Sequence, residues 1–285
     1  MVNSSIINNQ QNEEEFLKIQ FAARKCFNEA EKINYLCWLF CFLSASLVFI
    51  PDSTTKLITV LTPSILDIIA FIFNLVFYKN LKNAAALRNY FDSQVLMIKN
   101  TEYTNLQKQK IRDLAYSIFH KNQDEATISI HNTGRDTPPG IRNWYEFKTE
   151  LDGVSAQYEC QSQNIWWNKK MIEKSLVVFI VVAIIVIVLF LSLFCFFHFD
   201  IFHILPCSLG IIIKAAERIT EYYKYAIIST KIDTFQECIE NNLTSDNIVK
   251  LQSLIDERRI IPVLEINRIH KSKAKEFSNL YEELN

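Results

Sequence analysis

The chain has 285 residues, of which 49% are hydrophobic and 21% charged, with a formal net charge of -1. It is too apolar for disorder, and near-neutrality removes any global pull toward nucleic acid, so no nucleic-acid polymer is expected as a partner. Four glycines leave little room for phosphate-loop chemistry.

Residues 1–32 carry Glu13, Glu14 and Glu15 and lack a basic start followed by a short apolar core, so they do not resemble a cleavable signal peptide. Ile33 to Ile50 is 18 uncharged residues, and Leu57 to Tyr78 is 22 residues with Asp67 the only acidic or basic one. Both runs meet the length needed to span a bilayer. The short link Pro51 to Lys56 predicts an antiparallel pair with a tight external turn. In the central region, 79–174, Leu81, Ala84, Leu87, Arg88 and Phe91 keep helical spacing, and Leu106 to Phe119 repeats it, which predicts a helical hairpin. Ala126 to Ile130 suits a short strand beside a loop at Asn132 to Gly140.

Ser175 to Phe197 is 23 residues without a charge. As a helix it is about 34 Å long, enough to cross the hydrocarbon core. Ile201 to Ile213 is shorter, but Lys214 can snorkel from a helix that continues onward, and a fourth span is expected there. In the tail, 214–285, Ile212, Ala216, Ile219, Tyr223 and Ala226 fall three and four apart, and Ile228, Ile232, Phe235 and Ile239 restart the stripe. One long helix fits both. Asn241 to Asp246 breaks it, Ile248 to Ile255 begins another, and Pro262 separates a final charged helix ending near Leu284. Such stripes mark contacts within the chain or between subunits, or else a docking site for a separate partner.

Orientation follows from the basic residues. Lys18, Arg24, Lys25 and Lys32 precede the first span; Lys79, Lys82, Arg88 and Lys99 follow the second; Lys169, Lys170 and Lys174 precede the third; Lys214, Arg218 and Lys224 follow the fourth. The two hairpin links hold only Lys56. Both termini are therefore expected in the cytoplasm. The fold class is an all-α polytopic membrane protein with four transmembrane helices as two hairpins, 33–78 and 175–213. Residues 1–32, 79–174 and 214–285 form a mainly helical cytoplasmic domain.

Nothing in the sequence has the pattern of a phosphate loop, a zinc protease or a serine hydrolase, so neither an enzyme nor a cofactor is expected. The seven cysteines read as small hydrophobes in a reducing compartment, and Cys37 with Cys41 lacks further ligands. His198, Asp200 and His203 read first as polar ends of spans, and only second as a metal or pH site, so no metal is expected. Asp67 is costly to expose to lipid and must face protein or water. Pro63, Ala70 and Asn74 share its helix face, and Cys37, Cys41 and Ser44 give the first span a comparable one. Asp67, Asn74 and Ser44 are thus candidate pore-lining residues, with close helix packing as the competing explanation. Trp144, Tyr145, Asn164, Trp166 and Trp167 form an aromatic and amide cluster. It serves either interfacial anchoring and packing or the stacking of a nucleobase.

These segments, in this order, resemble the bacterial SMODS and SLOG-associated four-transmembrane effector family over most of the chain. The resemblance is carried by Asn12-Glu13-Glu14 with the helix Phe21 to Lys32, by Asn89-Tyr90-Phe91-Asp92-Ser93-Gln94-Val95, by Trp144-Tyr145 and by Cys160 through Asn168. Ser162 stands where the family pattern carries Arg, and Asn168 where it carries Asp. The resemblance implies a pore-forming antiphage effector of the bacterial inner membrane, working by abortive infection. Its partners would be the lipid bilayer, further copies of itself, and a cyclic oligonucleotide or a separate nucleotide-sensing protein. The alternative is a non-conducting membrane adaptor that recruits a soluble partner through its cytoplasmic helices.

Overall fold

The computed structural model describes residues 2–49, 56–99, 102–196 and 201–284. The expected external turn at 51–55 and the side chains of His198, Asp200 and His203 lie outside the described residues. Among those described there are nine α-helices and no strand: α1 Ser4–Gln11, α2 Glu14–Ser46, α3 Lys56–Val95, α4 Asn105–Lys121, α5 Gln123–His131, α6 Gly153–Phe196, α7 Ile201–Ile239, α8 Ser245–Ile260 and α9 Asn267–Leu284.

Local sequence sets several of the helix ends. Asn3 accepts a hydrogen bond from the Ile6 amide, Thr104 and Gln107 form a reciprocal capping box, and Thr244 accepts from the Asn247 amide. Pro262 cannot continue a helix, so α8 stops at Ile260 and an extended strap, 261–266, leads to α9. Ala126 to Ile130 lies inside α5 and is not a strand. Asp124 and Glu125 sit in the first turn of α5 and His131 in its last, a charge order that suits the helix dipole. Ala126 packs on Leu17, Phe21 and Ile141, whereas a lone strand would have left its backbone unpaired. The expected hairpin between the end of α3 and α4 is also modified, because α4 lies mainly along α2. Arg112 pairs with Glu15 at 2.7 Å, and Phe119 meets Phe21 edge to face.

The framework is two antiparallel helix pairs. In the first, Phe16 meets Phe91, Phe40 stacks on Phe73, and Ser44 bonds the Pro63 carbonyl, so α2 and α3 run side by side over their whole length. In the second, α6 and α7 meet through long side chains: Ser162 with Gln236, Lys169 with Asp233, and Phe179 with Tyr222. Glu14–Phe49 and Leu61–Val95 are each long and apolar enough to cross a bilayer. Their outer faces expose Leu39, Leu43, Ile65, Ile68, Phe71 and Ile72, and α6 exposes Val177, Ile180, Val181, Ile184, Ile185 and Val188. Contiguous apolar surface of this extent belongs in lipid or against another membrane helix.

At the other end the helices gather into a body with its own core, which includes Ile7, Phe16, Ile19, Ala22, Leu87, Phe91, Tyr145, Cys160 and Ile248. At its centre Asp92 is 1% exposed. Its carboxylate accepts from Tyr145 Oη at 2.6 Å, from Asn164 Nδ2 and Gln252 Nε2 at 3.3 Å each, and pairs with Arg259 Nη2 at 2.6 Å. A buried carboxylate is tolerated only when its lone pairs are filled in this way. Asp92→Ala is expected to leave Arg259 with only the longer Asp256 pair and to destabilise the body by about 3 kcal/mol. The loss would be read as a lower thermal midpoint of detergent-solubilised protein, and an unshifted midpoint would contradict a central role for this carboxylate.

Candidate functional site

Four arginines from three helices border a cavity of about 100 Å³ between the body and α9, together with Phe27, Trp144, Asn164, Trp167, Glu265 and His270. Their situations differ. Arg259 is held by Asp92 and by Asp256 at 3.5 Å. Arg24 donates to the carbonyls of Pro139 and Gly140 and lies 3.3 Å from His270 Nδ1. Arg88 lies over the faces of Trp144, at 4.5 Å, and Phe27, at 5.7 Å, while its Nε has no hydrogen-bond partner among the described residues. Arg258 is buried with Tyr225 as its aromatic neighbour. Glu265 is the one carboxylate on the lining, so with Arg259 neutralised the wall is net cationic.

Burial lowers the Arg24 guanidinium to about 10, with Arg88 adding repulsion, and burial also lowers Arg88 and Arg258. His270 is pushed down to about 3, chiefly by burial and then by Arg24, Arg88 and Lys271. Arg24 can only donate, so His270 Nδ1 is the acceptor and the ring is neutral. A second cavity of about 60 Å³ adjoins the first and shares Trp144, Asn164, Trp167 and His270 with it.

Of the aromatic and amide residues singled out in the sequence, Trp144, Asn164 and Trp167 line the cavity. Tyr145 and Trp166 do not. Tyr145 is buried on Asp92, and Trp166 packs on Phe277 and Tyr281 of α9. The Asn89–Val95, Trp144-Tyr145 and Cys160–Asn168 segments converge on Asp92 through Tyr145 and Asn164. Asn168 accepts from Tyr225 Oη at 2.5 Å and donates to Glu265 at 2.9 Å. An ionised Asp at that position would repel Glu265, so the neutral amide suits this strap. In the sequence Arg24 and Arg88 are markers of orientation, Arg88 is also a member of the helical stripe Leu81 to Phe91, and nothing there signals convergence with Arg258 and His270.

The strap and the first residue of α9 tie this cavity to three of the long helices. The Pro262 carbonyl accepts from Arg218 on α7, the Ile266 amide donates to Ser175 on α6, and the Asn267 amide donates to Glu31 on α2, all at 3.0–3.1 Å. Arg218 in turn opens a polar seam along the inner face of α7. It pairs with Glu221 at 2.8 Å and donates to Tyr78 Oη, which bonds Glu217 at 2.6 Å and also Glu221. Asn74 bridges Lys214, at 2.6 Å, and Glu217. Farther along, Asp67 faces Gly210 so closely that a Cβ there would collide with the carboxylate. Ser44 is fully buried and donates to the carbonyls of Pro63 and Cys207. Ser44, Asp67 and Asn74 therefore lie on one seam between α2, α3 and α7.

Residues 5–259 match the SMODS-associating 4TM effector domain. The chain belongs to that family. It is a membrane effector associated with SMODS nucleotide-signalling defence systems. No curated protein and no solved structure matches it. In this effector the matched region holds the arginines and the seam, while the strap and α9 lie beyond it.

Two outcomes follow from the geometry. Gly210→Ala displaces the Asp67 carboxylate from its place against α7, with an expected loss of about 1 kcal/mol in solubilised protein, and unchanged stability would show that the carboxylate is not packed there. His270, depressed in the folded state relative to its usual 6.5, takes up its proton on unfolding. Stability therefore falls as pH drops from about 6.5 toward 3, by up to about 1.4 kcal/mol per unit. His270→Gln is expected to flatten that slope, and parallel melting curves for the two proteins would show that the ring is not buried neutral.

Proposed function

We propose that this effector is a ligand-gated pore of the bacterial inner membrane, inserted as two helical hairpins with both termini in the cytoplasm. A cyclic oligonucleotide, bound by this chain at the arginine and tryptophan cavity, shifts it toward an open state, and loss of the membrane potential halts the infected cell. The observation that carries this is the pairing of guanidinium groups with indole faces in one cavity. Phosphodiester oxygens take the first and nucleobases stack on the second. The three strap bonds to α2, α6 and α7 supply a route by which occupancy of that cavity is felt at the membrane boundary. Binding gates only if it favours the open arrangement over the closed one.

In the open state the seam of Ser44, Asp67 and Asn74 lines the conducting path; in the closed state these residues pack helix on helix. Self-association is part of the proposal. The stripe Ile212, Ala216, Ile219, Tyr223, Ala226 lies exposed along α7, unbroken from the membrane-embedded part into the body, whereas Ile228, Ile232 and Ile239 are buried against α8. A soluble protein cannot follow that stripe into lipid, but a second copy can. No catalytic step is assigned to the chain. Bilayers that stay silent at saturating activator would overturn conduction and favour the non-conducting adaptor instead.

Trp167→Ala is expected to abolish activator-dependent leakage from dye-loaded vesicles, with insertion measured separately and unchanged. Full leakage from the mutant in response to cyclic di- and trinucleotides would reject the sensor role of the cavity.

A further inference from the structure

The closed cavity is too small for the ligand its lining suits. Small-molecule sites enclose roughly 300–1,000 Å³, and the two adjoining cavities hold about 100 and 60 Å³. Both are roofed by one element. His270 borders both cavities, and Ala274, Ser278 and Tyr281 of α9 close the second. Lifting α9 merges the two spaces across the shared faces of Trp144 and Trp167.

The segment 261–284 also supplies to the arginines what a bound anion would. Its Glu265 is the one carboxylate on the cationic wall, and its His270 places a neutral acceptor nitrogen beside Arg24. His270 and Phe277 lie against Trp167 with ring centroids 6.4 and 5.8 Å away, where a nucleobase would otherwise stack. Beyond the His270 and Asn267 contacts already described, the polar fastenings of the helix are Arg135 with Glu282 at 2.9 Å, Tyr281 Oη with Glu159 at 2.8 Å, and Lys148 with the Glu282 carbonyl. These partners are exposed or half-buried, so each contact is individually weak.

We infer that the C-terminal segment 261–284 is an autoinhibitory lid that occupies the nucleotide site with its own carboxylate, imidazole and aromatic groups, and that an anionic nucleotide binds by displacing it. This rests on the assignment of the cavity as the nucleotide site. Displacement releases the Pro262 carbonyl from Arg218 and the Asn267 amide from Glu31, so binding and loosening of the membrane boundary are one event. The apparent affinity is then the intrinsic affinity reduced by the fraction of molecules with the lid open.

The full-length chain tests this with a pinned lid. A Cβ at Gly134 would lie 3.6 Å from Ser278 Oγ, so Gly134→Cys with Ser278→Cys places two thiols within the range of a disulfide. Binding of labelled cyclic di- and trinucleotides is measured before and after oxidation with diamide, with each single variant as the control for native thiols and the cross-link verified by mass. The expected result is at least tenfold weaker binding in the oxidised double variant, restored by reduction. A companion variant, Phe277→Ala, loosens the lid and is expected to bind more tightly, by about tenfold. Equal binding by the cross-linked and reduced forms overturns the lid while leaving the site in place. Absence of binding in wild type and reduced protein alike removes the site, and the lid with it.

Discussion

The helical body is organised around a carboxylate that is almost wholly shielded from water, Asp92. Burying Asp92 would cost several kcal/mol if any of its lone pairs were left empty. The cost is met by four donors that arrive from separate segments: Tyr145 from the long loop before α6, Asn164 from α6, and Gln252 and Arg259 from α8. The same requirement sorts the arginines, since Arg259 is consumed internally while its neighbour Arg258, with Arg24 and Arg88, is left on the wall of a cavity with one carboxylate among them.

Polar groups inside the apolar part of the molecule follow a comparable logic with a different outcome. Lys214, Glu217, Arg218 and Glu221 of α7 point inward, where Asn74 and Tyr78 divide their hydrogen bonds. Such networks are expensive to break when solvent is excluded, yet water entering the seam would satisfy the same groups. A closed dry seam and an open wet one are thus both chemically acceptable states for these residues.

The long helices were legible because their signal is carried by runs of residues. The uncharged apolar runs beginning at Ile33, Leu57 and Ser175 and the two periodic stripes of α7 each extend over several turns, and among the described residues helices cover nearly all of them. The short element at Ala126 was misread as a strand because five residues carry little periodicity, and burial against Leu17 and Phe21 decided the matter. The site was only half legible. Trp144, Asn164 and Trp167 stand out by residue type, but Arg24, Arg88, Arg258 and His270 come together from four different helices. No local pattern records a convergence of that kind, and an arginine near a span is already accounted for by topology. What separates the two stripes of α7, one exposed and one covered by α8, is likewise decided by tertiary contacts that spacing alone does not contain.

The helices α2, α3, α6 and α7 each continue without a break from the apolar region into the body. At 40 residues, α3 is a strut about 60 Å long. From Pro63, where a backbone donor is missing, to Val95 it has no slack joint in which a small rearrangement can be absorbed. Tilting it by about 5° at one end carries the other end roughly 5 Å sideways, on the scale of one helix turn. A tilt imposed at the body end therefore arrives at the far end of the apolar region as an amplified displacement, and stiffness alone suffices as the transmission.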